Sequence, residues 1–116
     1  MLFIEYPKCT TCKKAKAFLD SNGVNYIDRH IKEFKPTLEE LTKWQEAGGI
    51  PLRKMFNTSG LLYKELGLKD KLDAMSDNEK LKLLSTDGML VKRPILITDK
   101  SVLFGFKEED WKNVIK

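Results

Sequence analysis

The feature that most constrains this chain is a cysteine pair, Cys9-Thr10-Thr11-Cys12, placed where a strand pattern hands over to a helix pattern. Leu2 to Tyr6 is apolar and aromatic around one glutamate, which suits a short buried strand that Pro7 ends. From Thr10 to Asn22 the residues Ala15, Ala17, Phe18 and Leu19 recur among lysines as in an amphipathic helix, closed by Gly23. Val24 to Ile31 is β-branched and aromatic and reads as a second strand. Two strands joined through a helix should run parallel, with a right-handed connection.

The middle of the chain reads as helical. Thr37 with Glu40 and Ser76 with Glu79 make two capping boxes, followed by Leu38, Leu41 and Trp44 in one case and Leu81, Leu83 and Leu84 in the other. Ile50 to Phe56 and Leu61 to Leu66 read as shorter helices around Asn57-Thr58-Ser59-Gly60, which is turn chemistry. Ile95 to Thr98 and Val102 to Phe104 form a hairpin across Asp99-Lys100, and Glu108 to Ile115 a terminal helix. The expected order is βαβ, a helical insert over roughly residues 35–88, then ββα. This is an α/β chain with a four-stranded mixed sheet, expected to form one domain from residue 1 to 116 with the insert as a lobe.

Composition narrows the function classes. A chain of 116 residues with two tryptophans, three tyrosines and six phenylalanines can build a core without metal or disulfide staples. The net charge of +4 comes from lysines scattered along the sequence, so solvated faces are expected and direct nucleic-acid binding is not. No apolar run is long enough for a signal peptide or a membrane span, so a cytoplasmic location without membrane association is expected. In a reducing compartment, a closely spaced cysteine pair reads as catalytic or redox-sensing.

The chemistry follows from the placement. Free N–H groups and the dipole at a helix N-terminus favour an anion, and Lys8, Lys13, Lys14 and Lys16 add positive charge nearby, so the Cys9 thiolate is expected to be stabilised. Cys12 lies about one helical turn on and can reach back. Attack by Cys9 on an oxidised substrate, then by Cys12 on the mixed intermediate, would release a reduced product. Two other readings stand beside this one. The thiols could be buried and inert, in a redox-inactive scaffold, or they could ligate zinc. Zinc wants four ligands, however, and the only further candidate of the usual kind is His30, which reads as a sheet-edge residue. Thr10 and Thr11 offer backbone N–H groups and hydroxyls to an oxyanion, as ordinary helix-start residues also do. Trp44 and Trp111 sit at helical spacing with apolar neighbours and read as core.

Tyr6-Pro7-Lys8-Cys9-Thr10-Thr11-Cys12-Lys13-Lys14-Ala15, Phe56-Asn57-Thr58-Ser59-Gly60, Tyr63-Lys64-Glu65-Leu66-Gly67-Leu68, Leu90-Val91-Lys92-Arg93-Pro94-Ile95 and Gly105-Phe106 together resemble the glutaredoxin-like arsenate reductase family, in its Spx/MgsR-related branch. The resemblance implies a thioredoxin-like fold with a helical insert. It implies that Pro94 follows a cis bond and brings Arg93 beside Cys9, to hold an oxyanion or stabilise the thiolate. Arsenate reductases of this family pair one cysteine with three arginines, and Asn57 and Phe106 stand where two of those arginines are expected. Cys12 replaces their hydroxyl residue and favours an internal disulfide cycle. The implied activity is a thiol-disulfide or arsenate-type reductase with Cys9, Cys12 and Arg93 as catalytic residues and Thr10, Thr11 and Pro94 about the oxyanion. It would hold no bound cofactor or metal and draw electrons from an external thiol donor, thioredoxin or a low-molecular-weight thiol. The alternative is an Spx-like regulator whose disulfide switches binding to the C-terminal domain of the RNA polymerase α subunit. Spx proper carries a more polar and basic sequence around Gly49 and residues 53–60.

Overall fold

The computed structural model describes residues 1–115, and the chain divides into two compact units. One is built from Met1–His30 together with the chain from Arg93 onward, and the other is Ile31–Lys92.

The first unit holds the sheet. Strand β1 (Leu2–Glu5) is followed by helix α1 (Thr10–Ser21) and strand β2 (Ile27–His30). The chain returns later as β3 (Ile95–Ile97), β4 (Val102–Phe104) and a terminal helix, α6 (Glu108–Val114). The strand order is β2-β1-β3-β4, with β1 parallel to β2 and antiparallel to β3, and β3 antiparallel to β4. The parallel βαβ start and the β3–β4 hairpin are those expected from the sequence. The second strand is shorter than the expected 24–31, beginning at Ile27, because Val24 and Tyr26 pack against the core from the connection preceding it.

Alternation along β1 decides which residues face α1. Phe3 joins Ala15, Phe18 and Leu19 of α1, Leu96 of β3 and Trp111 of α6 in one buried cluster. Trp111 is fully buried, and its indole N–H donates to Gly105 O at 3.0 Å. Its ring meets Phe3 and Phe106 edge-on, with centroids 6.1 and 5.0 Å away. Glu5 shares the Phe3 face of β1 and lies one step nearer the start of α1, since the helix runs back over the strand. The sheet face that carries the core therefore ends in a buried carboxyl.

The second unit is helical. It contains α2 (Leu38–Gly48), α3 (Leu61–Glu65), α4 (Leu68–Lys71) and α5 (Asp77–Leu84), with 3-10 turns at Leu52–Met55, Leu72–Ala74 and Gly88–Leu90. Both expected capping boxes form. Thr37 Oγ1 accepts from Glu40 N at 3.1 Å and Ser76 Oγ from Glu79 N at 3.1 Å, while each glutamate accepts the cap residue's own N–H. The stretch expected as a helix from Ile50 to Phe56 is a single 3-10 turn, because Phe56 turns extended and bridges Val91. The turns at 68–74 and 88–90 carry too few periodic residues to show in the sequence. Leu41, Trp44, Met55, Phe56, Leu72, Leu84 and Leu90 are buried in this unit.

Candidate functional site

The sequence-marked residues that come together all lie in the first unit. Cys9 is the N-cap of α1, in extended backbone conformation, and its sulfur accepts the Cys12 N–H at 3.4 Å. A cysteine at this position replaces the usual hydroxyl or carboxylate cap, so the sulfur occupies the spot where a helix favours negative charge. Cys9 N donates to Tyr6 O at 2.9 Å, which fixes the tight loop between strand and helix. Cys9 is partly exposed, Cys12 is fully buried, and both are free thiols.

The two sulfurs are electrostatically unequal. Burial opposes the Cys9 thiolate, but the Cys12 amide, the Cys12 thiol and the Arg93 guanidinium together hold its pKa below the ordinary thiol value. Cys12 is pushed up to about 12, first by burial, and further by giving its proton to the Cys9 sulfur; the Tyr6 backbone bonded to its sulfur only partly offsets this. Cys9 is therefore the sulfur that ionises, with Cys12 as its protonated neighbour.

Arg93 reaches this pair from the residue before Pro94, across the one cis peptide bond among the described residues. Its guanidinium sits 5.1 Å from the centroid of the Tyr6 ring and acts on Cys9, favouring its thiolate. Arg93 Nε and Nη1 are buried and have no hydrogen-bond partner. Pro94 is buried, and its carbonyl accepts Gly105 N at 2.7 Å. Thr10 and Thr11 are exposed in the first turn of α1, where backbone N–H groups have no intrahelical acceptor.

One expectation needs correction. The lysines around the motif are not what lowers the Cys9 pKa. Lys16 is turned to the side, with Nζ 2.9 Å from Asp28 Oδ2 and 3.0 Å from Tyr26 Oη, and the lowering comes from Cys12 and Arg93. A flexible side chain goes to the nearest fixed carboxylate, and Asp28 on the neighbouring strand supplies it. His30 belongs to β2, which forms one edge of the sheet, and its ring lies 5.7 Å from that of Tyr6. Among the described residues no group of three or more His, Cys, Asp or Glu side chains is placed to hold a metal ion. Among the described residues no helix is long and apolar enough to cross a membrane.

The residue that sequence reasoning passed over is Glu5. It is 4% exposed, the sole charged side chain in the buried set of the described residues. Burial first, then a hydrogen bond with Asp28, raises its pKa to about 7. Its Oε2 is buried with no hydrogen-bond donor beside it. The signal was present in the sequence as a single glutamate inside an otherwise apolar strand, a residue type that is almost never fully buried unless paired.

A four-stranded mixed sheet with a C-x-x-C pair capping the first helix and a cis-proline beside it defines a thioredoxin-like, thiol-redox fold. The comparisons place it further. The profile of the ArsC family matches residues 4–114, and the chain belongs to that family. Among its relatives, the uncharacterized protein YusI of Bacillus subtilis is 47% identical over 97% of this chain and 95% of its own length. The regulatory protein MgsR of the same organism is 31% identical over 91% and 82% respectively. A candidate ArsC-family protein from Bacteroides fragilis superposes with a TM-score of 0.96 at 49% identity, covering 97% of this chain and 95% of the other. A protein described as a possible arsenate reductase from Streptococcus mutans superposes at 0.87 with 44% identity, covering 96% of each.

Proposed function

We propose that this chain is a thiol-disulfide reductase that uses Cys9 as nucleophile and Cys12 as resolving thiol. The observation that carries the reading is the inequality of the two sulfurs: a partly exposed Cys9 whose thiolate is favoured by the Cys12 amide, the Cys12 thiol and Arg93, next to a buried Cys12 that keeps its proton. Cys9 attacks a substrate disulfide, forming a mixed disulfide and releasing one thiolate. Cys12 then attacks Cys9, releases the second thiol and leaves a Cys9–Cys12 disulfide. An external thiol donor, thioredoxin or a small thiol, returns the two electrons.

The same site accommodates arsenate-type reduction less well. Arg93 offers buried Nε–H and Nη1–H donors suited to an oxyanion, and Thr10 and Thr11 can add first-turn amides. At Phe106, where the family resemblance puts a guanidinium, an aromatic ring packs on Phe18 and Trp111, and Asn57 replaces another arginine. One fork in place of three binds a tetrahedral anion weakly. Assay of the purified chain with small disulfides and with arsenate, each with thioredoxin or a low-molecular-weight thiol, should show turnover on disulfides. Cys9→Ser should abolish it, and Cys12→Ser should trap the substrate on Cys9, visible as an added mass. Absence of turnover with every donor would exclude the reductase.

A second reading is favoured by the likeness to MgsR, a regulatory protein. In it, the Cys9–Cys12 disulfide switches binding to the RNA polymerase α C-terminal domain. Capture of that domain by the reduced or oxidised chain, but not by both, would support it. No capture in either state would remove it.

A further inference from the structure

We propose that the groove between α1 and α6 holds the peptide that flanks the substrate's cysteine, with an acidic residue facing Lys14 and an apolar one resting on Phe18 and Phe106. The proposal rests on the reductase reading above and adds a substrate class to it, a protein disulfide set in acidic and apolar sequence.

The groove lies within the first unit and has a volume of about 560 Å³, ample for several side chains. Lys14, Ala17 and Phe18 line it from α1, and Phe106, Glu108 and Lys112 from the other side. The three α1 residues stand at i, i+3 and i+4, so they form one stripe of the helix. Continued back by four residues, the stripe reaches Thr10, the exposed neighbour of Cys9. The opposite wall starts from the same place. Phe106 follows Gly105, whose N–H donates at 2.7 Å to the carbonyl of Pro94, the residue after Arg93. A chain bonded to the Cys9 sulfur therefore has this groove beside it, along α1.

The walls decide what the groove takes. Its floor is aromatic, with the Phe18 and Phe106 rings 5.6 Å apart and the exposed methyl of Ala17 beside them. Phe106 is half-buried, so part of its ring is left uncovered. A ring at the position where the family resemblance puts a guanidinium exchanges an anion contact for an apolar one. The charges are unequal. Glu108 is paired with Lys112 at 3.7 Å, whereas Lys14 is exposed and has no hydrogen-bond or ion-pair partner among the described residues. The cation left over calls for a carboxylate on the ligand.

Spacing sets the order of the two contacts. At 1.5 Å per residue, Lys14 lies about 7.5 Å along the helix axis from Cys9, and Phe18 about 13.5 Å. An extended chain rises about 3.3 Å per residue, so those distances correspond to about two and about four residues from the substrate cysteine. Alternate residues of an extended chain share a face, so both side chains point into the groove together.

Synthetic peptides Phe-Gly-Asp-Gly-Cys-Gly-Asp-Gly-Phe, which present the motif in both chain directions, test this when their cysteine is joined to nitrothiobenzoate. Cys9 attacks the peptide sulfur, a Cys9–peptide S–S bond forms, and nitrothiobenzoate leaves as a coloured thiolate. Each rate is divided by that of mercaptoethanol on the same peptide. Replacing both Asp by Lys should slow the unaltered chain about fivefold at low salt, and the difference should fade near about 0.5 M salt. Lys14→Glu should remove the preference for Asp. Replacing both Phe by Gly should slow the unaltered chain by about tenfold, and Ala17→Trp, which fills the groove, should remove that difference. Equal rates for the Asp and Lys peptides, or for the Phe and Gly peptides, in the unaltered chain would overturn the proposal whatever the variants do, and would leave the reductase standing. So would a preference for Asp that survives in Lys14→Glu. No coloured release from any peptide would overturn both.

Discussion

Burial would keep Cys9 neutral, and three donors reverse that outcome. Arg93 is the only one of them that can be removed without touching the cysteine motif. A hydrogen bond to a charged group contributes about 1.5–3 kcal/mol, and the lower end applies to a partly exposed sulfur. Arg93→Ala should therefore raise the Cys9 pKa and slow iodoacetamide alkylation at mildly acid pH by about tenfold. An unchanged alkylation profile would remove Arg93 from the thiolate's partners. Glu5 gives a prediction of opposite character, on stability. The folded chain keeps the Glu5 proton up to about pH 7, whereas the unfolded chain releases it near 4.5. Between those values stability falls as pH rises, by on the order of 3 kcal/mol, while the lowered Asp28 pKa acts only below its ordinary value of 3.8. Glu5→Gln should flatten that slope in urea titrations run across the interval. Cys9, Cys12 and Arg93 were legible because residue type and position in a motif announce them. Glu5 was not, because its chemistry depends on the carboxyl of Asp28, 23 positions on, which only strand pairing brings near.

At the scale of elements, local signals in the helical unit were strong wherever a backbone N–H needs a side chain. Thr37 and Ser76 announced α2 and α5 because a helix start leaves orphan donors that few residue types can satisfy. Ser76→Ala should cost about 1 kcal/mol of unfolding free energy, the usual value of such a cap, and equilibrium denaturation would measure it. The turns at 68–74 and 88–90 were illegible, and the helix expected over 50–56 shrank to one 3-10 turn, since tertiary contacts shape these segments and periodicity does not. Gly88 shows how. A Cβ there would lie 1.9 Å from the backbone oxygen of Ile31, an approach no side-chain motion can relieve. Gly49, in contrast, caps α2 at φ 62° with open space around it, so only backbone strain opposes a side chain. Gly88→Ala should thus destabilise strongly, by about 3 kcal/mol or more, and Gly49→Ala by about 1 kcal/mol. Equal losses at the two positions would show that close approach is not what selects glycine at 88.

For the whole molecule, the βαβ start and the closing hairpin were readable because each strand is bounded by a turn residue and buried on a predictable face. The order β2-β1-β3-β4 was not spelled out by any local pattern; it emerges when the hairpin adds its first strand beside β1 and shares Leu96 with the Phe3 cluster. That arrangement has a consequence for global stability under oxidation. A Cys9–Cys12 disulfide closes a loop so short that chain entropy contributes at most about 2 kcal/mol. Against this stands what the reduced site possesses and the disulfide lacks: a sulfur that caps α1 and whose thiolate the Cys12 thiol and Arg93 favour. A thiolate with a lowered pKa stabilises the folded reduced chain in full above the ordinary thiol value and loses that contribution as the pH falls through the lowered one. The reduced protein should therefore be at least as stable as the oxidised one at mildly alkaline pH, with the balance moving toward the oxidised form in acid. Urea denaturation of both forms at two pH values would measure the difference. If oxidation instead stabilised the chain by more than about 2 kcal/mol in alkali, the pair would be a structural staple and not a reductant.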